Sequence, residues 1–417
     1  MEIQRKKYVT DLANRMQNGM VKVITGIRRS GKTYLLFRLF KKYLLELGVE
    51  DSHMISVALD QRTNRRYRNP DVFLEYVAER ITDQKTYYVF LDEVQLLEDF
   101  EEALSTLLYM ENIDIYVTGS NSKFLSKDVI TEFRGRGDEI HIFPLTFREY
   151  MQTTTLDEYR GWAEYVTYGG LPLVAMMKTE EQKIQYLTRL FEETYIKDIR
   201  ERNKIEKVQE LNDLINVLAS ATGSLTNPSR LEATFKSVVR SDISVNTIRE
   251  YIGYLENAFL LNEAQRYDVK GRKYIGTPVK YYFEDTGLRN ARLGFRQTEE
   301  NHLMENVIYN ELRARGFHVD VGVVPIREVN LEGVRVRKQL EIDFIATLGS
   351  RKYYIQSAFS LPDKEKLQQE KNSLLQVNDS FKKIIVTKDV VKLQRDERGI
   401  ITMNLYDFLL KENSLEL

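Results

Sequence analysis

The 417-residue sequence contains no cysteine, one tryptophan, four histidines and seven prolines. Without cysteine the chain can form no disulfide, no thiolate metal site and no cysteine nucleophile, which suits a reducing compartment. The histidines show no H-x-x-x-H spacing, which argues against a zinc site. No apolar run approaches the roughly 18–20 residues of a membrane span, and residues 1–10 lack the apolar core of a signal peptide. We therefore expect a cytoplasmic protein.

An excess of charge of either sign is also missing, because the formal net charge is −1. Bulk charge thus gives no sign of nucleic-acid binding, although a neutral total can conceal a basic face. Most runs of basic residues are solvated surface, so DNA stays an open alternative as a partner. The basic clusters are Arg62/Arg65/Arg66/Arg68, Lys197/Arg200/Arg202/Lys204 and Lys270/Arg272/Lys273.

The chain is long enough for two or three domains. Over residues 1–150, short apolar segments alternate with amphipathic ones, which predicts parallel strands joined by crossover helices. Continuously apolar strands indicate a sheet covered on both faces, so the expected class is α/β. The predicted strands are Val21–Thr25, Met54–Leu59, Tyr87–Leu91 and Ile113–Val117, and the predicted helices are Tyr34–Leu47, Asp71–Ile81 and Phe100–Met110.

Residues 151–295 are mainly helical and residues 296–417 alternate again, which predicts a small α/β domain at the end of the chain. In the middle part, helices are predicted at Ile215–Thr222, Leu231–Phe235 and Asn246–Leu261. They precede a strand pair within Leu261–Phe283, with turns expected at Gly271 and Gly276. This order is that of a winged helix-turn-helix, but a plain helical linker domain explains it equally well.

A phosphate-binding motif is present near the N-terminus. It matches G-x-x-x-x-G-K-[ST] between a predicted strand and a predicted helix. Its backbone N–H groups and the helix N-terminus would bind phosphate oxygens. Lys32 would reach the β- and γ-phosphates, and the Thr33 hydroxyl would ligate magnesium. We interpret the motif as a site for ATP with Mg²⁺, against the alternative of a glycine-rich turn. The residues are Gly26, Ile27, Arg28, Arg29, Ser30, Gly31, Lys32 and Thr33, followed by Tyr34.

Acidic residues directly follow the third predicted strand. Asp92 and Glu93 would lie at the carboxyl edge of the sheet, beside the phosphate loop. We expect Asp92 to hold magnesium and Glu93 to act as general base, unless both only cap the next helix.

Further candidates follow the fourth predicted strand. Ser120 or Asn121 could sense the γ-phosphate, or could cap a helix instead. Arg134 or Arg136 could stabilise transition-state charge, within its own chain or across a contact between subunits. The second case would require a homo-oligomer.

With these residues in place, the chain resembles the archaeal and bacterial AAA-type ATPases that carry a C-terminal domain of unknown function. The resemblance covers nearly the whole length and implies the triphosphate roles given above. The segments that carry it are GIRRSGKT, FLDEVQ (Phe90–Gln95), TGSNS (Thr118–Ser122), FRGRG, FPLTFREY (Phe143–Tyr150), YGGLP (Tyr168–Pro172) and KYYFEDTGLRNA (Lys280–Ala291).

The C-terminal domain of that family is similar to restriction-endonuclease-like nucleases, and this similarity implies a second metal site. By that pattern Glu305, Asp343 and Gln356 would be the metal ligands. The lysine of the nuclease motif is replaced by Ala358, so Lys352 or Lys364 would have to take its place. A degenerate domain kept for binding or assembly is the interpretation that we prefer.

Three functions follow from these observations. The leading one is a Mg²⁺-dependent ATPase that couples hydrolysis to conformational change in a DNA-binding module. The second is a nucleotide-gated scaffold without significant turnover. The third is an ATP-dependent DNA nuclease.

Overall fold

The computed structural model describes residues 3–119, 135–239, 241, 243–296, 299–329 and 335–417. The chain divides into two compact units. The first unit contains Met1–Pro144 and Asn257–Phe259, and the second contains Leu145–Glu256 and Leu260–Leu417. The division into domains 1–150, 151–295 and 296–417 stays a prediction.

The first unit is built on a parallel five-stranded sheet with the order β2-β3-β4-β1-β5. The predicted α/β phosphate-loop fold is therefore confirmed. All five residues of β1 are buried, which explains why this strand reads as a continuous apolar run. Strand β5 was not predicted, because only Ile140 of its five residues is buried. The strands are β1 Val21–Thr25, β2 Met54–Ala58, β3 Tyr87–Asp92, β4 Ile113–Thr118 and β5 Gly137–His141.

Helices cover both faces of this sheet and create two apolar cores. One core includes Phe73 and Leu104, and the other includes Leu36 and Phe40. The helix predicted after the phosphate loop is not uniform, because Leu35–Phe40 is π-helical. The helices are α1 Lys6–Ala13, α2 Lys32–Tyr34, α3 Lys41–Glu46, α4 Pro70–Ala78 and α5 Phe100–Leu108.

The second unit begins with helices and ends with a mixed sheet. Its described helices are α6 Phe147–Met151, α7 Glu158–Tyr168, α8 Pro172–Ala175, α9 Glu180–Arg189, α10 Lys197–Asn203, α11 Val208–Ser220, α12 Pro228–Thr234, α13 Val245–Asn257, α14 Thr286–Arg292, α15 Glu300–Ala314, α16 Lys364–Leu375 and α17 Leu405–Leu410.

The eight strands of this sheet have the order β12-β13-β11-β10-β9-β8-β6-β7. The strand pair that would form the wing in the winged helix-turn-helix alternative, β6 and β7, is thus one edge of the large sheet. Their turn includes Gly271, but Gly276 lies inside β7, so the turn predicted at Gly276 is wrong. The strands are β6 Leu261–Asp268, β7 Lys273–Phe283, β8 His318–Val329, β9 Arg335–Leu348, β10 Arg351–Ala358, β11 Lys382–Thr387, β12 Gln394–Arg395 and β13 Ile400–Asn404.

Two of the motifs quoted above pack against each other at the start of α14. The buried carboxylate of Asp285 accepts hydrogen bonds from Gly170 N (2.8 Å) and Leu288 N (2.9 Å). A Cβ atom on Gly287 would lie 2.1 Å from the carbonyl oxygen of Tyr168. Because that contact is with backbone, only glycine fits there. The YGGLP and EDTGL segments therefore have a packing role in the second unit.

Candidate functional site

The phosphate loop joins the carboxyl end of β1 to the first turn of α2. Gly26, Arg29 and Gly31 have positive φ angles of 133°, 66° and 98°. A Cβ atom on Gly26 would lie 2.2 Å from the carbonyl oxygen of Ile142. This conformation and this close approach require glycine at position 26. Residues 26–32 therefore fold back tightly at the N-terminus of a helix, which is the arrangement that binds anions through backbone N–H groups.

Lys32 is buried at the base of the loop. Its ammonium donates hydrogen bonds to the carbonyl oxygens of Gly26 (2.8 Å) and Ile27 (3.0 Å). The positive charge is thereby held against the loop itself.

Arg5 contacts the same loop through hydrogen bonds. It was not predicted from the sequence. Its guanidinium donates to the carbonyl oxygens of Ser30 (3.1 Å) and Phe143 (2.7 Å). Arg5 is buried, although it lies just before α1. The sequence carries no signal for this role, because the partners are 25 and 138 residues away.

Asp92, at the end of β3, accepts hydrogen bonds from two threonine side chains of the site. The Thr33 hydroxyl lies 3.0 and 2.9 Å from its two carboxylate oxygens. The Thr118 hydroxyl, at the end of β4, also donates to Asp92. Burial raises the pKa of Asp92, and the hydrogen bonds from Thr118 and Thr33 oppose that rise. Since β4 lies between β1 and β3, Thr118 is placed between the loop and Asp92.

Glu93 follows with an unusual backbone conformation for a residue with a side chain, φ 53°. Its N–H donates to the Thr118 hydroxyl (3.0 Å), and the Gln95 amide donates to its carboxylate. Thr118 therefore fixes both acidic residues, with one hydrogen bond to the side chain and one from the backbone. The TGSNS segment contained this residue, but the sequence-based choice fell on its neighbours.

Of the candidates that follow β4, the structure describes Arg136, which lies away from the loop. Arg136 is exposed, and its carbonyl oxygen accepts from Val21 N (2.8 Å), at the beginning of β1. That edge is about 15 Å from the loop, since a strand advances about 3.3 Å per residue. The structure therefore does not bring Arg136 to the site of its own chain, and a role across a subunit contact stays a prediction. Ser120, Asn121 and Arg134 lie outside the described residues.

The flanking residues of the loop differ in exposure. Arg28 is half-buried, whereas Arg29 and Tyr34 are exposed.

A second polar cluster lies in the second unit and is centred on Lys280 of β7. Its ammonium is 2.8 Å from Glu305 Oε1, 2.8 Å from Glu341 Oε1 and 3.8 Å from Asp343 Oδ1. Burial lowers the pKa of Lys280, but the carboxylates of Glu305, Asp343 and Glu341 outweigh it, so the pKa rises above its usual value. Burial and Glu305 raise the pKa of Asp343.

The structure thus brings Glu305 and Asp343 together, but around a lysine that was not predicted. Gln356 accepts a hydrogen bond from the Ser373 hydroxyl (3.5 Å) in α16. Lys352 lies over the rings of Tyr267 and Phe381, and Lys364 is exposed. Among the described residues, neither of those two lysines forms an ion pair with the acidic side chains around Lys280. Within the described ranges, no group of three or more His, Cys, Asp or Glu side chains is arranged to hold a metal ion.

Comparison with known proteins agrees with the first unit's architecture. A family profile described as "AAA domain" matches residues 18–151, and one described as "Domain of unknown function (DUF8612)" matches residues 159–299. The first unit is therefore a phosphate-loop domain of the AAA type.

Relatives extend this likeness over the whole chain. An "Uncharacterized protein" of Haemophilus influenzae is 32% identical over 415 residues, which are 98% of this chain and 99% of that protein. "Uncharacterized protein MJ1544" of Methanocaldococcus jannaschii is 27% identical over 88% of this chain and 81% of its own length. The chain belongs to the same family of AAA-domain proteins as the Haemophilus influenzae relative.

Solved structures resemble the chain only weakly. The crystal structure of Cdc6p from Pyrobaculum aerophilum is 12% identical and covers 73% of this chain and 94% of its own, with a TM-score of 0.30. A likeness at that score does not support a shared overall arrangement.

None of the helices in the described ranges combines the length and apolar character needed to cross a lipid bilayer.

Proposed function

We propose that this protein binds ATP with Mg²⁺ and hydrolyses it at the phosphate loop. The observation that carries the proposal is the contact between Thr33 and Asp92, with hydroxyl-to-carboxylate distances of 3.0 and 2.9 Å. This contact joins Thr33, at the end of the loop, to an acidic residue at the end of β3. A hydroxyl and a carboxylate at this spacing form the oxygen donor set that Mg²⁺ prefers in proteins.

Each residue then has one task. The N–H groups of residues 26–32 bind the phosphates, and Lys32 exchanges its loop carbonyls for phosphate oxygens. Thr33 and Asp92 hold Mg²⁺, which neutralises charge on the phosphates when it is bound. Glu93 orients and deprotonates the attacking water. Thr118 keeps Glu93 beside Asp92.

Phosphate release by purified protein tests this proposal. We expect Lys32→Ala to abolish both nucleotide binding and turnover, because the loop loses the buried ammonium group that would contact the phosphates. Glu93→Gln should still bind ATP but release phosphate at least about 100-fold more slowly, the scale of a general base. The surface variant Lys85→Ala should behave as wild type, since this exposed lysine forms its ion pair with Glu50, a residue outside the site. Binding without release by wild type would instead support the nucleotide-gated scaffold.

A second candidate function is binding of nucleic acid by the second unit, which the nucleotide cycle would control. It is supported by basic residues on two adjacent hairpins. Arg327 and Arg337 are exposed and lie directly opposite each other across β8 and β9. Such like-charge neighbours destabilise a sheet, so an anion between them would relieve the repulsion.

The neighbouring turn adds to this charge. Lys270 donates to the carbonyl oxygen of Pro325 (3.1 Å), which holds the turn between β6 and β7 beside β8. Lys270, Arg272 and Lys273 are all exposed there. The same phosphate-release assay tests the idea with duplex DNA added at increasing salt. Stimulation that weakens as salt rises would support it, because contacts with DNA phosphates release counterions. Unchanged turnover at every salt concentration would oppose it.

A further inference from the structure

The Lys280 cluster contains three acidic side chains, those of Glu305, Glu341 and Asp343. The cation that they contact is the ammonium group of Lys280. The Lys280 side chain is only 4% exposed, and it enters from β7 between α15 and β9. Glu305 comes from α15, whereas Glu341 and Asp343 come from β9. Three acidic side chains from two elements thus converge on the ammonium group of a third element, β7.

We propose that Lys280 permanently replaces the divalent metal ion at this acidic cluster, so that the second unit keeps a nuclease-like arrangement without metal-dependent cleavage. A restriction-endonuclease-like site would require Glu305 and Asp343 to ligate a divalent ion. The residues present do not fit such an ion. The inference is independent of the ATPase proposal.

The distances within the cluster match an ammonium group better than a metal ion. Mg²⁺ binds oxygen ligands at about 2.0–2.1 Å, whereas the two nearest carboxylate oxygens are each 2.8 Å from Lys280 Nζ. That spacing is typical of a hydrogen bond from an ammonium group. While Lys280 is in place, the carboxylate oxygens surround an ammonium group, and no metal ion can occupy the same point. A metal ion beside it would meet the charge of Lys280 at close range, inside a buried site.

Glu305 and Asp343 each accept a further hydrogen bond from a neutral group. Glu305 Oε1, which contacts Lys280, accepts a second hydrogen bond from the Tyr282 hydroxyl (2.6 Å). Asp343 Oδ2 accepts from Ser357 N (2.8 Å). Both acidic side chains are therefore held in place by partners other than a metal.

The backbone around Asp343 supports this arrangement. The register between β8 and β9 shifts between Asp320 and Gly322, opposite residues 342–345. Such a bulge redirects side chains at a sheet. A Cβ atom on Gly322 would lie 2.9 Å from Ile342 Cβ, so glycine makes room for the bulge.

The position at which the nuclease motif has its lysine is apolar in this protein. Ala358 is buried in an apolar cluster with Tyr354 and Leu374. A lysine at position 358 would carry its charge into that cluster. Lys280 supplies a positive charge from β7, the strand at one edge of the sheet, where its side chain is buried among the carboxylates.

Binding of Mn²⁺ to nucleotide-free protein tests the proposal, with electron paramagnetic resonance as the readout. Wild type and Asp343→Ala should take up the same amount of Mn²⁺, because the cluster binds none. Lys280→Met removes the charge at similar length. It should gain one Mn²⁺ per chain, and the double variant Lys280→Met/Asp343→Ala should lose that ion again. Lys280→Arg keeps the charge and should behave as wild type.

Several results would overturn the proposal. One is uptake of Mn²⁺ by wild type that disappears in Asp343→Ala. Another is a folded Lys280→Met protein that gains no ion. Should Lys280→Met fail to fold, the comparison of wild type with Asp343→Ala still decides the question. Plasmid DNA incubated with wild type and Mn²⁺ should also remain intact, and cutting that Asp343→Ala abolishes would contradict the inference.

Discussion

Thr118 offers the sharpest test of how the candidate ATPase site is assembled. Its buried hydroxyl donates to the Asp92 carboxylate and accepts from Glu93 N. Thr118→Val replaces the hydroxyl by a methyl group of similar size and removes both hydrogen bonds. Thr118→Ser is the matched control, because it keeps the hydroxyl and loses only a methyl group.

The expected magnitude follows from the partners. The bond that holds Glu93 joins two neutral groups, a backbone N–H and a hydroxyl, and such a bond contributes about 0.5–1.5 kcal/mol. Because about 1.4 kcal/mol corresponds to a factor of ten, local opening around Glu93 should become roughly 2- to 12-fold more frequent in Thr118→Val. Turnover should fall more than nucleotide affinity, since the contacts of Lys32 with the loop are untouched.

Amide hydrogen exchange measured on peptides that contain Glu93 reports this opening directly. The Glu93 amide should exchange faster in Thr118→Val and should remain protected in Thr118→Ser. Equal exchange in the two variants would refute the reasoning, because it would mean that the hydroxyl does not hold Glu93. The loss of protection should be confined to the carboxyl edge of the sheet.

Two further predictions concern the second unit, whose unfolding the single tryptophan, Trp162, can report by fluorescence. Gly287→Ala should destabilise this unit by about 1–3 kcal/mol or more, because the new Cβ atom would lie 2.1 Å from the Tyr168 carbonyl oxygen. Its control, Gly253→Ala in the interior of α13, meets no atom within 4 Å and should stabilise by about 0.5–1 kcal/mol; equal effects of the two changes would contradict the packing argument. Glu256 governs a pH dependence, since burial and then Glu263 raise its pKa to about 7. The folded state therefore holds the proton more tightly than the unfolded state, so this contribution to stability is present at acidic pH and is lost as pH rises to about 7. Glu256→Gln should accordingly be more stable than wild type at pH 8 and no more stable near pH 4, and a difference that does not vary with pH would argue against this assignment.

The sequence predicted the first unit well because its signals are local. Continuous apolar runs such as Tyr87–Leu91 indicate strands buried on both faces, and these strands are present in the parallel sheet. Strand β5 was not predicted because it is only partly buried and carries charged residues. In the second unit, β6 and β7 were recognised as strands. Their place at the edge of an eight-stranded sheet depends on pairing with β8, more than 50 residues later.

The phosphate loop is the feature that the sequence by itself determined. Eight consecutive residues fix its backbone, and the acidic residues at the end of a buried strand are placed by the carboxyl edge of the sheet. Thr118, Arg5 and Lys280 became visible only in the tertiary structure. Each contacts groups on other elements, and no periodicity in the sequence encodes which distant partner a polar side chain will meet. For Lys280 the difference is one of chemistry, because only the folded arrangement shows an ammonium group where the sequence pattern called for a metal ion.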